Sequence, residues 1–149
     1  MQTIEYRTFD KSSWGTGPWQ NEPDKKQWTD EKTGYPCLIV RNRMGALCGY
    51  VGVKAAHPLY EKGYDDAEVY AHGGMTFAGP CRGGDEQHGI CHKADGADDV
   101  WWFGFDCLHA GDSSPPIHPH SFDFGVYRDL AYVTSEVASL AAQLKELET

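Results

Sequence analysis

The chain has 149 residues, enough for one domain with a single hydrophobic core. Thirteen Lys and Arg stand against twenty-two Asp and Glu, so the formal net charge is −9. This charge disfavours duplex DNA and anionic membrane surfaces as partners, because both require a basic footprint. A small anionic molecule held by a few arginines remains compatible with it.

The first residues lack a basic region followed by an apolar run. No apolar stretch approaches the roughly 18 residues of a membrane span, so we expect a cytoplasmic protein without a membrane partner. The five cysteines are odd in number, and cytoplasmic thiols are usually reduced. Free thiols or metal ligands are therefore expected rather than a disulfide framework.

The N-terminal part of the chain predicts one strand and then a long loop. Thr3–Phe9 alternates polar and apolar residues, which is typical of a strand. Residues 10–35 are irregular and rich in tryptophan, which favours a lid-like or binding loop. Trp14 and Trp19 of this loop would either seal the core or form an aromatic wall for a planar ligand.

Four further strands are predicted along the chain. Pro36–Arg41 and Ala46–Val53 should pair as a hairpin, with Gly45 in the turn. Ala67–Phe77 has a period of two over most of its length, which indicates another strand. Val100–Asp106 is continuously apolar and aromatic and should be the most buried strand, with Asp106 at its end.

Arg128–Glu148 is predicted as one long amphipathic helix, since apolar residues recur every three or four positions. Its apolar seam would either pack on the sheet or serve as the seam of a homodimer. The order of elements predicts a single α+β domain over residues 1–149. We expect a mainly antiparallel sheet of about five strands with the helix, residues 128–148, on one face.

Reactive side chains concentrate after the buried strand. An acid at a strand end is costly unless it is paired or close to solvent, and the natural partners of Asp106 are His72 and His109. A carboxylate that orients an imidazole builds a general base. Asp106 could equally be a structural acid that caps the following loop, and Asp112 is interpreted as a turn former.

A second candidate site surrounds the sequence His72-Gly73-Gly74. Backbone amides beside an imidazole can hold a phosphate or an oxyanion, although a half-buried histidine before a turn explains the pattern as well. Other ligand-binding candidates are His57, Arg41 and Arg82.

Sulfur and nitrogen donors suggest a third site, which would hold a divalent metal such as zinc. The spacing lacks paired C-x2-C knuckles, so cysteines that pack as small apolar residues are the competing interpretation. The candidate ligands are Cys81, His88, Cys91, His92, Cys107 and His109.

Several long motifs resemble a family of small bacterial and phage or prophage proteins. They include WGTGPW, PCLIVR, GALCGYVGV, HGGMTF and DDVWWFGFDCLHAGD, and they cover most of the chain. The resemblance implies one intact domain and brings no catalytic role with it. A phage setting favours nucleotides, including host-defence signalling nucleotides, as ligands.

These patterns favour, by a small margin, a His/Asp acid–base or metal-assisted hydrolase or lyase that acts on a small anionic, nucleotide-like molecule. His72, Asp106 and His109 would be its catalytic residues. Two alternatives remain. One is a non-catalytic, sequestering nucleotide-binding protein, and the other is a protein-interaction domain with an aromatic surface.

Overall fold

In the computed structural model, which describes residues 3–82, 86–91, 99–116 and 125–148, six strands form one antiparallel sheet. The sheet order is β1-β2-β3-β4-β6-β5, and a single helix, α1, follows the strands in the chain. Short 3-10 turns lie at Pro18–Asn21 and Tyr64–Asp66. The strands are β1 Ile4–Tyr6, β2 Lys25–Thr29, β3 Pro36–Arg41, β4 Leu47–Val53, β5 Phe77–Pro80 and β6 Trp101–Asp106, and α1 is Leu130–Glu146.

The apolar seam of α1 is buried against one face of the sheet. Its inward side chains are fully covered, and they meet strand residues that alternate towards the same side. This arrangement confirms the predicted α+β class with a C-terminal helix on the sheet. A homodimer through α1 stays a prediction. The helix residues concerned are Val133, Val137, Leu140, Ala141 and Leu144.

Gly49 explains how closely α1 approaches the centre of the sheet. A methyl group at this position would lie 2.6 Å from a Val137 methyl and 2.5 Å from the ring of Phe105. Strand β4 pairs residue by residue with β3 and β6, so the glycine does not mark a bulge. The missing side chain instead makes room for the helix and for one aromatic ring.

The prediction of an unbroken loop over residues 10–35 is wrong, because β2 lies inside it. The sequence of β2, KKQWT, is mostly polar and gives little strand signal. Pairing with β1 on one side and β3 on the other supplies the hydrogen bonds that local propensity does not. Lys25 and Gln27 are buried as a result.

The predicted strand Ala67–Phe77 is also wrong over most of its length, since only Phe77–Pro80 enters the sheet as β5. The backbone of Tyr70 hydrogen bonds to a helix side chain instead of a strand. Its N–H donates to Gln143 Oε1 and its carbonyl accepts from Gln143 Nε2, both at 2.8 Å. This segment therefore runs along α1 and carries His72 towards the start of the helix.

The second face of the sheet carries a smaller apolar cluster of Leu38, Val40, Cys48, Tyr50, Val100 and Trp102. A disulfide between Cys81 and Cys91 closes the segment beside it, so the expectation that these two cysteines are free is wrong. Lys25 Nζ donates to the Cys91 carbonyl at 3.0 Å and to the Glu86 carbonyl. Cys37, Cys48 and Cys107 are free and buried, as small apolar residues would be.

Among the described residues, no helix is long and apolar enough to cross a membrane.

Candidate functional site

Three parts of the chain meet at one end of the sheet. The turn after β6 contributes His109 and Asp112, the segment beside α1 contributes His72, and the first turn of the helix contributes Tyr132. The N–H of Tyr132 is held by the Asp129 side chain at 2.9 Å, which caps the helix and fixes where this turn begins.

His72 bridges a tyrosine and an aspartate. Its Nε2 lies 2.7 Å from Asp112 Oδ2, and its Nδ1 lies 2.7 Å from the phenolic oxygen of Tyr132. An ionised Asp112 can only accept, so Nε2 carries a proton. In the tautomer with a proton on Nε2 alone, Nδ1 accepts the Tyr132 O–H. The side chain of His72 is only 13% exposed, so the ring is held in this orientation. We call Tyr132, His72 and Asp112 the relay.

Asp112 is the buried anchor of the relay. Burial alone would raise its pKa, but hydrogen bonds from Arg128, His72 and the His109 amide outweigh burial and lower the pKa below its usual range. Arg128 Nε donates to Oδ1 at 2.8 Å, and the His109 N–H donates to Oδ2 at 3.0 Å. The Asp112 N–H donates to the His109 carbonyl and so closes the predicted turn. The Asp112 carboxylate has a second role, because it also holds His72 and Arg128 in place.

A second histidine and acid adjoin the relay. The rings of His109 and His72 meet edge to face with centroids 5.8 Å apart. His109 Nε2 lies 3.4 Å from Asp106 Oδ1 without a well-aligned hydrogen bond. Asp106 also accepts the Leu108 N–H at 3.0 Å, so it caps the following turn as well. Both side chains are about 30% exposed, but His109 Nε2 itself is buried.

Gly73 sets the distance between the two histidines. It has φ +72°, and a methyl group there would lie 2.2 Å from His109 Cδ2. Gly74 also has positive φ, but its amide donates to the Ala71 carbonyl at 2.8 Å. The Gly74 amide is thus occupied by the turn, which leaves a smaller amide cradle than the sequence suggested.

Tyr132 and Arg128 were not predicted as site residues. The phenol pKa of Tyr132 is raised by burial and then by the Glu136 carboxylate, so the group needs a base to ionise. The Arg128 guanidinium lies over the Tyr132 ring, 5.0 Å from its centroid. Tyr132 lies in the first turn of α1, sixty positions from His72, and Arg128 lies just before the helix. Nothing in the sequence pattern connects them to His72.

Arg41 lies outside this cluster. Its buried guanidinium contacts Asp24 at 2.7 Å and Glu22 at 3.2 Å, and it also donates to the Gly45 carbonyl and the Tyr127 hydroxyl. Those partners tie β3, the hairpin turn and the start of α1 together. The guanidinium predicted to take a phosphate therefore has its hydrogen-bonding capacity used inside the protein.

The two loop tryptophans surround that arginine network. Trp14 is buried, with Arg41 5.4 Å from its ring centroid. Trp19 packs edge to face on Tyr127 at 5.1 Å. Both rings therefore contact side chains of this network, and neither belongs to the two apolar core clusters.

His57 and Arg82 are also apart from the relay. His57 accepts the Leu59 N–H at Nδ1, so its Nε2–H donates to the Leu144 carbonyl at 2.7 Å, roughly 18 Å along α1 from Tyr132. This histidine caps the far end of the helix. Arg82 lies just after β5, with its guanidinium 5.5 Å from the Phe77 ring centroid.

Among the residues that the structure describes, the predicted metal ligands do not converge. Cys81 and Cys91 are bonded to each other, and burial followed by the nearby Asp112 carboxylate raises the pKa of the Cys107 thiol far above its usual range. His88 belongs to the disulfide segment, and His92 lies outside the described residues. In the part of the chain that the structure describes, no three His, Cys, Asp or Glu side chains are grouped to hold a metal ion.

The chain matches no protein-family model, no curated protein and no solved structure.

Proposed function

We propose that this protein is a hydrolase that cleaves a small anionic ester at the relay. The observation that carries the proposal is the placement of His72 between the Tyr132 hydroxyl and the buried Asp112 carboxylate, with 2.7 Å on each side. A hydroxyl, an imidazole and an acid in this order form a nucleophile, its base and the group that orients the base. A second histidine and acid, His109 and Asp106, stand beside them to serve as the proton donor.

The chemistry follows from the donor and acceptor roles. His72 Nδ1 removes the phenolic proton while Tyr132 Oη bonds to the electrophilic atom of the ester. The bond to the leaving oxygen breaks, and protonated His109 gives that oxygen its proton. Water then cleaves the tyrosyl ester: one of its protons returns to His109 and its hydroxyl becomes part of the acid product. The released phenolate takes back from His72 the proton that it gave up in the first step. The balance is one ester plus one water to an alcohol plus an acid.

Arg128 is the group best suited to bind the anionic part of the substrate. Its Nε is taken by Asp112, while its terminal nitrogens have no hydrogen-bond partner in the part of the chain that the structure describes. The guanidinium lies over the Tyr132 ring, next to the proposed nucleophile. A planar cation with free N–H groups suits phosphate or carboxylate oxygens, which favours a phosphoester, including a nucleotide-like one.

The test uses a panel of chromogenic p-nitrophenyl esters, namely a phosphate monoester, a phosphate diester, a sulfate and an acetate. Wild-type protein should release p-nitrophenol from at least one anionic ester, and His72→Asn should lower kcat/KM at least 100-fold. Glu68→Gln, an exposed change on the same segment, serves as the matched control. Incorporation of 18O from water into the acid product shows that water cleaves the bond to the phosphorus, sulfur or acyl carbon, as the mechanism requires.

Three outcomes would contradict the proposal. Wild-type protein without turnover on the whole panel is the outcome expected of a sequestering binder or an interaction domain. Equal rates for wild type and His72→Asn would place any activity elsewhere. An acid product without 18O would show that the bond to the phosphorus, sulfur or acyl carbon had not been cleaved by water.

A further inference from the structure

A cleft of about 470 Å³ lies on the face of the sheet opposite α1, away from the relay. Its floor is formed by Val40 and Tyr50 of the smaller apolar cluster, and Phe9, Met44 and Ile90 form apolar walls. The volume falls within the range of small-molecule sites, and a mostly apolar lining is typical of them. Met44, which also lines the cleft, is 49% exposed.

Among the described residues that line this cleft, Arg43 is the one arginine or lysine whose charge is not taken up by an ion pair. Arg41 and Asp24 both reach its edge, but they neutralise each other through their ion pair. Arg43 follows directly in the hairpin turn and is exposed. It makes no ion pair or hydrogen bond with any residue that the structure describes. An unpaired arginine beside an apolar floor complements a molecule with an apolar body and an anionic group.

The net charge limits how much negative charge the ligand can carry. At −9 the protein repels polyanions at long range, and a single arginine compensates only one charge. We infer that this cleft binds a small aromatic or branched aliphatic monoanion, with its apolar part on Tyr50 and Val40 and its acid group on Arg43. This inference does not depend on the proposed hydrolase function.

The disulfide segment forms one wall of the cleft. Gln87, His88 and Ile90 line it and lie between Cys81 and Cys91. Lys25 fastens the segment to β2 through the carbonyl of Cys91. The cleft is therefore bounded by a covalently closed wall on one side and the hairpin turn on the other, and little ordering is needed when a ligand enters.

The test uses 1-anilinonaphthalene-8-sulfonate, an aromatic monoanion, in isothermal titration calorimetry with the oxidised protein. We expect one saturable site. Arg43→Ala should weaken binding about tenfold, whereas Lys62→Ala, the matched removal of an exposed cation elsewhere, should leave the Kd unchanged. The neutral analogue N-phenyl-1-naphthylamine should bind wild type and Arg43→Ala equally, because it has no acid group.

Ile90→Trp fills the cleft and should abolish binding while the thermal unfolding midpoint stays close to that of wild type. If the thermal unfolding midpoint of Ile90→Trp falls well below that of wild type, Val40→Phe takes its place as the cleft-filling variant. Three outcomes would overturn the inference. They are non-saturable binding, equal affinity of wild type and Arg43→Ala for the sulfonate, and undiminished binding in a folded cleft-filling variant.

Discussion

The imidazole Nε2 of His72 lies 2.7 Å from the Oδ2 of Asp112, across a separation of forty residues in the chain. This contact joins the turn after β6 to the segment that runs beside α1. The same carboxylate accepts a hydrogen bond from Arg128, which lies just before α1, and another from the His109 amide within the turn. Asp112 therefore connects three segments of the chain and also places a negative charge beside His72.

The first prediction concerns acid stability. Because the pKa of Asp112 is lowered on folding, ionisation of its carboxylate stabilises the folded state above its unfolded pKa of about 4. That contribution is lost as the pH falls through the lower folded value. Urea unfolding between pH 7 and pH 2 should show that Asp112→Asn costs about 1–3 kcal/mol at pH 7. The difference from wild type should shrink below pH 4.

The exposed change Asp65→Asn is the control and should leave the free energy of unfolding nearly unaltered across this range. Asp24, whose pKa is also lowered on folding, remains in both proteins, so Asp112→Asn should keep part of the acid sensitivity. A constant offset between wild type and Asp112→Asn at all pH values would contradict the linkage.

The second prediction separates the two possible roles of Tyr132. Tyr132→Phe removes the hydroxyl that donates to His72 and should cost about 1 kcal/mol of stability, the usual worth of one hydrogen bond. Under the proposed mechanism, turnover of the best ester in the panel should fall at least 100-fold. Tyr64→Phe, at an exposed 3-10 turn, is the matched control. A purely structural Tyr132 would give the small stability loss with unchanged kcat.

The third prediction tests the packing of His109. Gly73→Ala and Gly74→Ala both place a side chain at positive φ, which strains the backbone by about 1 kcal/mol. Only the Gly73 methyl meets the His109 ring, whereas the Gly74 methyl meets nothing within 4 Å. The His109 imidazole signals in NMR spectra should therefore move in Gly73→Ala and stay in place in Gly74→Ala. Equal shifts in both variants would refute this contact.

The fourth prediction concerns the cysteines. Burial, followed by nearby carboxylates, raises the pKa of the Cys37 and Cys48 thiols to about 12, and Cys107 is buried too. A thiol reagent such as dithionitrobenzoate should therefore react very slowly with the native protein. It should count three thiols in denaturant and five after reduction. Five thiols in unreduced, denatured protein would mean that Cys81 and Cys91 are not bonded.

The strongly patterned elements were predictable because burial imposes a period on the sequence. The strand Trp101–Asp106 is a nearly continuous apolar run, and the helix Leu130–Glu146 has apolar residues at every third or fourth position. Both elements lie where these patterns predict them. The polar strand Lys25–Thr29 has no such pattern. Its existence depends on two neighbours that supply hydrogen bonds, and no local window of sequence contains them.

The alternation of Ala67–Phe77 misled for a related reason. A period of two indicates which side chains could share a face, but a strand also needs a partner for its backbone. The side chain of Gln143, seventy-three residues away, takes that role at Tyr70. The segment therefore lies against the helix, which is why His72 meets Tyr132 rather than a neighbouring strand.

The sequence by itself determined the α+β class, the helix on the sheet, and His72, His109 and Asp106 as residues worth examining. Local patterns of hydrophobicity and residue chemistry are enough for that. Only the tertiary structure decided that His72 pairs with Asp112 and Tyr132. The partners of these two contacts are forty and sixty residues apart in the sequence. Hydrogen bonds between such distant residues depend on how the helix and the sheet pack against each other.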